Sequence, residues 1–135
     1  ADGDHYRLAF DRPDTWSQKY NLVWDKLWGL NMFDDVMEKE INYYLKKQNV
    51  YGLPLDCRKG YTKSDWILWT ACMAKDKETF KKFVSPVYKF YSETTSRVPM
   101  SDWFETEKPV RVSFRARSVI GGFWFKVLMD KNDNK

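Results

Sequence analysis

Metal-binding chemistry is nearly missing from this sequence. It holds one histidine, His5, and two cysteines, Cys57 and Cys72, with no CxxC spacing. A zinc site made within the chain would lack its usual ligands, and two cysteines make no disulfide framework. Buried or hydrogen-bonded free thiols are the expectation, and no metal or other cofactor is expected. Long apolar runs are missing too. No stretch approaches the roughly 20 residues of a membrane span, so no membrane partner is expected. Nor does charge of one sign accumulate. The 23 Lys and Arg residues are interspersed with 19 Asp and Glu, and the longest purely basic runs are pairs such as Lys46-Lys47 and Lys81-Lys82. A nucleic-acid binder gathers its positive charge on one face; no such stripe is visible, and no nucleic-acid partner is expected. Residues 1–11 lack the basic-then-apolar order of a secretory leader. Either the protein is cytosolic, or a leader lies upstream of this sequence.

What is present fits a packed core. The chain has 135 residues, 43% hydrophobic and 31% charged, which is one domain's worth or a piece of a larger domain. Aromatic residues stand out, with 7 Trp, 8 Tyr and 9 Phe. Such a surplus suits a core, a wide groove lined by rings, or a face that packs on another domain.

Hydrophobic spacing predicts an all-α chain with minor short strands. Residues 15–30 read as a helix, with Trp16, Tyr20, Val23, Leu27 and Leu30 on one face, Trp24 and Trp28 on the next, and a stop at Gly29. Residues 34–48 read as a second helix, with Asp34 and Asp35 at its start and Lys46 and Lys47 at its end, as the macrodipole favours. A third helix is expected over about 64–74, with Thr62 or Ser64 as its cap, and a fourth from Asp76, interrupted at Pro86. Residues 115–129 read as a closing helix, apolar nearly all round, before a polar tail. Residues 110–114 alternate and read as a short strand, as does the segment around Tyr6–Phe10.

Short links separate the first and second helices and the third and fourth. Long connectors, 49–61 and 94–114, follow the second and fourth. The long connectors should therefore lie at one end of a set of helical hairpins, the arrangement of part of an (α/α) toroid with its cleft at that end. Each is followed closely by, or contains, an Asp-Trp pair: Asp65-Trp66 and Asp102-Trp103.

The stretches at 15–33, 51–74, 96–106 and 114–124 together resemble the C-terminal region of the glutaminase A family. The resemblance runs from about Asp2 to Leu128. It implies a helical-hairpin domain similar to the six-hairpin toroid of certain glycosidases, of which this chain is the C-terminal part. It also implies hydrolysis of L-glutamine to L-glutamate and ammonia, and a secreted or periplasmic setting. The expected partners are then a small-molecule substrate, glutamine or a sugar, and the remainder of the parent chain, with dimerisation as another way to cover exposed apolar surface.

Hydrolysis without metal needs a proton donor and a base or nucleophile. Asp56, Asp65 and Asp102 are the carboxylates beside the long connectors and are the candidate catalytic groups. Each has a structural alternative: a loop ion pair with Arg58 for Asp56, helix capping for Asp65, and turn capping for Asp102. Arg58, Arg97, Arg115 and Arg117 are candidate clamps for a substrate carboxylate, or ion pairs that pin loops. Trp66 and Trp103 are candidates to wall a pocket or stack on a sugar, or to pack between loops, and His5 reads as exposed and inert. Against a hydrolase stands a helical packing or binding module with no catalysis of its own.

Overall fold

Residues 15–19 are not helical. In the computed structural model, which describes residues 1–133, their backbone pairs with the connector instead: Gln18 N donates to Leu55 O at 2.8 Å and Cys57 N to Trp16 O at 3.1 Å. The side chain of Gln18 explains why this wins over helix. It is buried, and its Nε2 donates to Leu53 O at 3.0 Å and Pro54 O at 2.9 Å. The helix begins only with a 3-10 turn at Tyr20–Leu22, which runs into α1 (Val23–Trp28). It stops where expected, at Gly29 with φ 63, a left-handed conformation that glycine adopts without strain.

The Asp25 carboxylate then accepts from Met32 N at 3.2 Å and Phe33 N at 3.3 Å, folding the short link into α2 (Asp34–Leu45). Met37, Ile41 and Tyr44 face inward, as their spacing predicts. Glu40 is also fully buried, and accepts from Tyr6 N at 2.6 Å and Lys19 Nζ at 3.1 Å.

A short strand, β1 (Tyr61–Lys63), leads directly into α3 (Ser64–Cys72). Neither Thr62 nor Ser64 caps this helix. Lys63 is the cap residue and provides no side-chain bond, Thr62 is buried within β1, and the Ser64 N–H donates to Asp102 O at 2.8 Å. In α4 (Lys77–Glu93), Asp76 is the cap and accepts from Thr79 N at 2.8 Å. Pro86 lies inside α4 without ending it. Proline cannot supply the N–H that the carbonyl four residues earlier expects; Gln48 Nε2 donates to that carbonyl, Lys82 O, at 3.2 Å.

β2 (Trp103–Glu105) pairs antiparallel with β1 in the register Tyr61↔Glu105, Thr62↔Phe104, Lys63↔Trp103. The strand is thus not at 110–114; that stretch only flanks β2, with Arg111 bridging Phe104 and Val112 N donating to Trp103 O at 2.9 Å. The closing segment is also not one helix. Ser118–Trp124 is a 3-10 run and α5 spans Phe125–Asp133. Gly122 presses against α3 so closely that a Cβ there would lie 3.0 Å from Trp69 Nε1 and 3.1 Å from Asp65 Cβ. The polar ending begins inside α5, and residues 134–135 lie outside the described residues.

The core centres on Leu53, Ile67, Phe83, Phe90 and Phe104, with the Phe90 and Phe104 rings stacked at 3.8 Å between α4 and β2. Trp28 and Trp124 are 66% and 71% exposed. His5, expected at the surface, is buried and stacks on Tyr43 with centroids 4.2 Å apart. The fold is therefore helical with one two-stranded sheet. No helix among the described residues is long and apolar enough to cross a membrane.

Candidate functional site

The two long connectors meet. β1 ends the first and β2 belongs to the second, so their pairing places Asp65, in the first turn of α3, near Asp102, the residue before β2. Tyr91 of α4 braces the junction. Its hydroxyl donates to Ser101 O at 2.7 Å and lies 3.0 Å from Ser64 Oγ.

Asp102 is fully buried, and neither carboxylate oxygen has a hydrogen bond. Its nearest cation is Arg117, whose Nη1 lies 3.6 Å from Oδ2, too far for a hydrogen bond. Asp65 Oδ1 is likewise buried and unbonded. Burial first, and then the negative charge of Asp102, push the Asp65 carboxyl above its ordinary value of 3.8. The indole Nε1 atoms of Trp69 and Trp103 are buried without partners as well. Five of the seven unbonded buried side-chain polar atoms among the described residues thus belong to these four residues. Burying such atoms without partners costs about 1–3 kcal/mol each, which sets these four residues apart from the rest of the core.

Half-buried rings lie beside the pair. Trp66 stacks on Tyr20 at 4.0 Å; Trp103 packs edge-on to Tyr61 at 5.3 Å and stacks on Phe114 at 5.6 Å. The Lys63 ammonium stands 5.9 Å from the Trp66 ring and 5.8 Å from the Trp103 ring, linking them.

The remaining candidates lie apart from this group. Asp56 is gripped by Arg58, which donates its backbone N at 2.8 Å, Nε at 3.0 Å and Nη2 at 2.7 Å. Burial works to raise the Asp56 carboxyl, but the Arg58 hydrogen bonds and charge together outweigh it and hold it below the ordinary value. Arg97 is exposed and donates to Tyr91 O and Ser92 O, closing the end of α4. Arg115 is exposed. Of the arginines, only Arg117 meets a carboxylate of the pair.

Sequence reasoning took Trp69 as core or interface, read Tyr91 only as part of the inner face of α4, and passed over the buried side chain of Gln18. The spacing of Asp65 and Trp69, four residues apart on one helix, was a usable signal. Tyr91 carried none, because it fits the inner face of α4 as any aromatic would.

Gly122 lies against Asp65, and Arg117 faces Asp102. Two hollows, about 780 Å³ between α2 and α4 and about 600 Å³ beside α5, are lined by neither Asp65 nor Asp102. Among the described residues, no group of three or more His, Cys, Asp or Glu is placed to hold a metal ion.

The family model of the glutaminase A six helical-hairpin domain matches residues 1–127. Glutaminase A of Aspergillus oryzae is 32% identical over 126 residues, covering 90% of this chain and 18% of that protein. A protein of Arthroderma benhamiae named "Probable glutaminase" is 28% identical over an alignment of 165 residues, covering 98% of this chain and 19% of that protein. This chain therefore spans about a fifth of the length of these curated relatives. No solved structure matches it. With the family model covering nearly the whole chain, the protein belongs to the glutaminase A family, through its six helical-hairpin domain.

Proposed function

We propose that this chain contributes the acid–base pair of a glutaminase-like hydrolase, with Asp65 and Asp102 as its two members. One observation carries the reading: a fully buried carboxyl, Asp102, and a partly buried one, Asp65, meet at a loop-to-helix junction, with three of their oxygens unbonded and with different neighbours. A carboxyl raised by burial and a neighbouring charge is suited to give a proton, and a second carboxyl beside it can serve as the base. Asp65, which holds its proton to higher pH than a free aspartate, is the donor to the departing amide nitrogen. Asp102, facing Arg117, takes the proton from the attacking water. Water and the amide then become a carboxylic acid and ammonia, which leave as carboxylate and ammonium, and the proton on Asp102 returns to Asp65. Arg117 also offers a planar fork for a substrate carboxylate, which glutamine carries.

Relatives of about five times the length leave room for further substrate contacts outside this chain. A glycoside substrate is the second reading, favoured by the half-buried rings of Trp66 and Trp103 beside the pair. The family resemblance to glutaminases supports the first.

The test is ammonia release from L-glutamine, with aryl-glycoside hydrolysis in parallel, in a polypeptide of the relatives' full length that carries this chain. Asp65→Asn and Asp102→Asn should each lower kcat by at least about 100-fold, the usual share of one acid or base, with the helical spectrum unchanged. Rates within twofold of the parent would remove both residues from the chemistry.

A further inference from the structure

α5 carries two apolar faces. Phe125 and Met129, four residues apart, are buried, and Phe125 meets the Trp24 and Trp69 rings at 5.2 Å each. Trp124, Val127 and Leu128 recur at steps of three and four on another face, and they are 71%, 45% and 51% exposed. Lys126 pairs with Asp130 along the polar side that remains. A helix at the surface of a domain needs only the buried stripe and the polar side. The second apolar face is extended by Trp28. Its ring lies 5.4 Å from Trp24, and Asn132 Nδ2 donates to Leu27 O at 3.3 Å, so the end of α1 lies beside α5. Leu30 and Met32, just past Trp28, are exposed as well. Large apolar side chains gathered in this way mark an interaction surface.

The order of the elements points to what covers this face. Short links join α1 to α2 and α3 to α4, whereas α3 and α5 each follow a long connector. α5 therefore holds the place of the first helix of a hairpin, and among the described residues no second helix follows it. The family's domain is built of six helical hairpins. This chain supplies two linked helix pairs and α5, and its relatives run to about five times its length.

We propose that the face of Trp28, Trp124, Val127 and Leu128 is a docking surface for a further helix of the same parent polypeptide, an amphipathic helix that lays its apolar side along α5 and against Trp28. The proposal does not depend on the roles of Asp65 and Asp102. Hydroxyl-radical footprinting tests it by comparing this chain with a polypeptide of the relatives' full length that carries it, at equal radical dose. Oxidation of Trp28 and Trp124 should fall by about tenfold in the long polypeptide, because a packed interface excludes water. Leu128→Cys carrying a benzophenone should, in the long polypeptide, cross-link within the molecule to a segment whose apolar residues recur at helical spacing. Oxidation of the two indoles at the same rate in both proteins would overturn the inference. So would a cross-link to a second molecule, which would make another copy the occupant, or a cross-link to a segment without helical spacing. Should Leu128→Cys not fold, the footprint of the unsubstituted proteins decides alone.

Discussion

The Ser64 N–H donates to the Asp102 carbonyl at 2.8 Å, joining the first residue of α3 to the connector that follows α4 across 38 positions of sequence. This single bond replaces a side-chain cap on α3 and sets the two Asp-Trp pairs at one junction. The hydroxyl of Tyr91 sits beneath it, reaching Ser101 O and Ser64 Oγ.

Removing that hydroxyl should therefore loosen the junction. Tyr91→Phe leaves buried polar atoms without a partner and should destabilise the chain by about 1–3 kcal/mol. Urea unfolding measures it, and an unchanged midpoint would show that the brace contributes nothing.

Asp65 makes stability depend on pH in a stated direction. Its carboxyl titrates higher in the folded chain than at the unfolded value near 3.8, through burial and then the charge of Asp102. Its contribution is fully present below the unfolded value and is lost as pH rises through the folded one. Asp65→Asn has no such loss. Relative to the parent, this variant should gain stability as pH rises across that window and keep the gain at neutral pH. Denaturant unfolding at pH 3.5 and pH 7 reads the difference, and a gain equal at both would contradict it.

Glu40 is fully buried, and its cationic partner is Lys19, at 3.1 Å. Lys19→Met strands that carboxylate and should cost about 3–5 kcal/mol. Lys19→Met combined with Glu40→Gln should recover part of the loss, because the stranded charge is gone. Thermal unfolding of the two variants distinguishes this from a general loss of packing.

The two cysteines should behave differently. Cys57 is exposed, whereas Cys72 is buried and burial pushes its thiol up to about 12. A thiol reagent at pH 8 should modify Cys57 within minutes and leave Cys72 untouched until denaturant is added. Equal rates at both positions in the native chain would contradict the burial of Cys72.

Much of the helical framework was legible because it rests on local signals. The periodicity of Met37, Ile41 and Tyr44, the stop at Gly29 and the lengths of the links to α2 and α4 each act within a few residues. What was hidden depends on distant partners. Gln18 holds the 53–54 carbonyls, so residues 15–19 pair with the connector instead of forming helix. Trp103–Glu105 becomes a strand because β1 lies beside it, although Val110–Phe114 has the better alternation. Gly121-Gly122 signalled close approach of another element, but not that the closing run would wind as 3-10 over Asp65. The same holds at the site. The two Asp-Trp pairs were visible as a pattern, and so was an ion pair of Asp56 with Arg58 as one of two readings, whereas the choice between them and the buried brace of Tyr91 required the fold.

The central claim is that Asp65 and Asp102 share one buried site and feel each other's charge. A carbon-13 NMR titration of the aspartate carboxyls, in the parent and in Asp102→Asn, tests it most directly. The account predicts that Asp65 titrates above the ordinary aspartate range and moves back towards it when Asp102 is made neutral. An Asp65 that titrates at its ordinary value, unmoved by the change at residue 102, would contradict it.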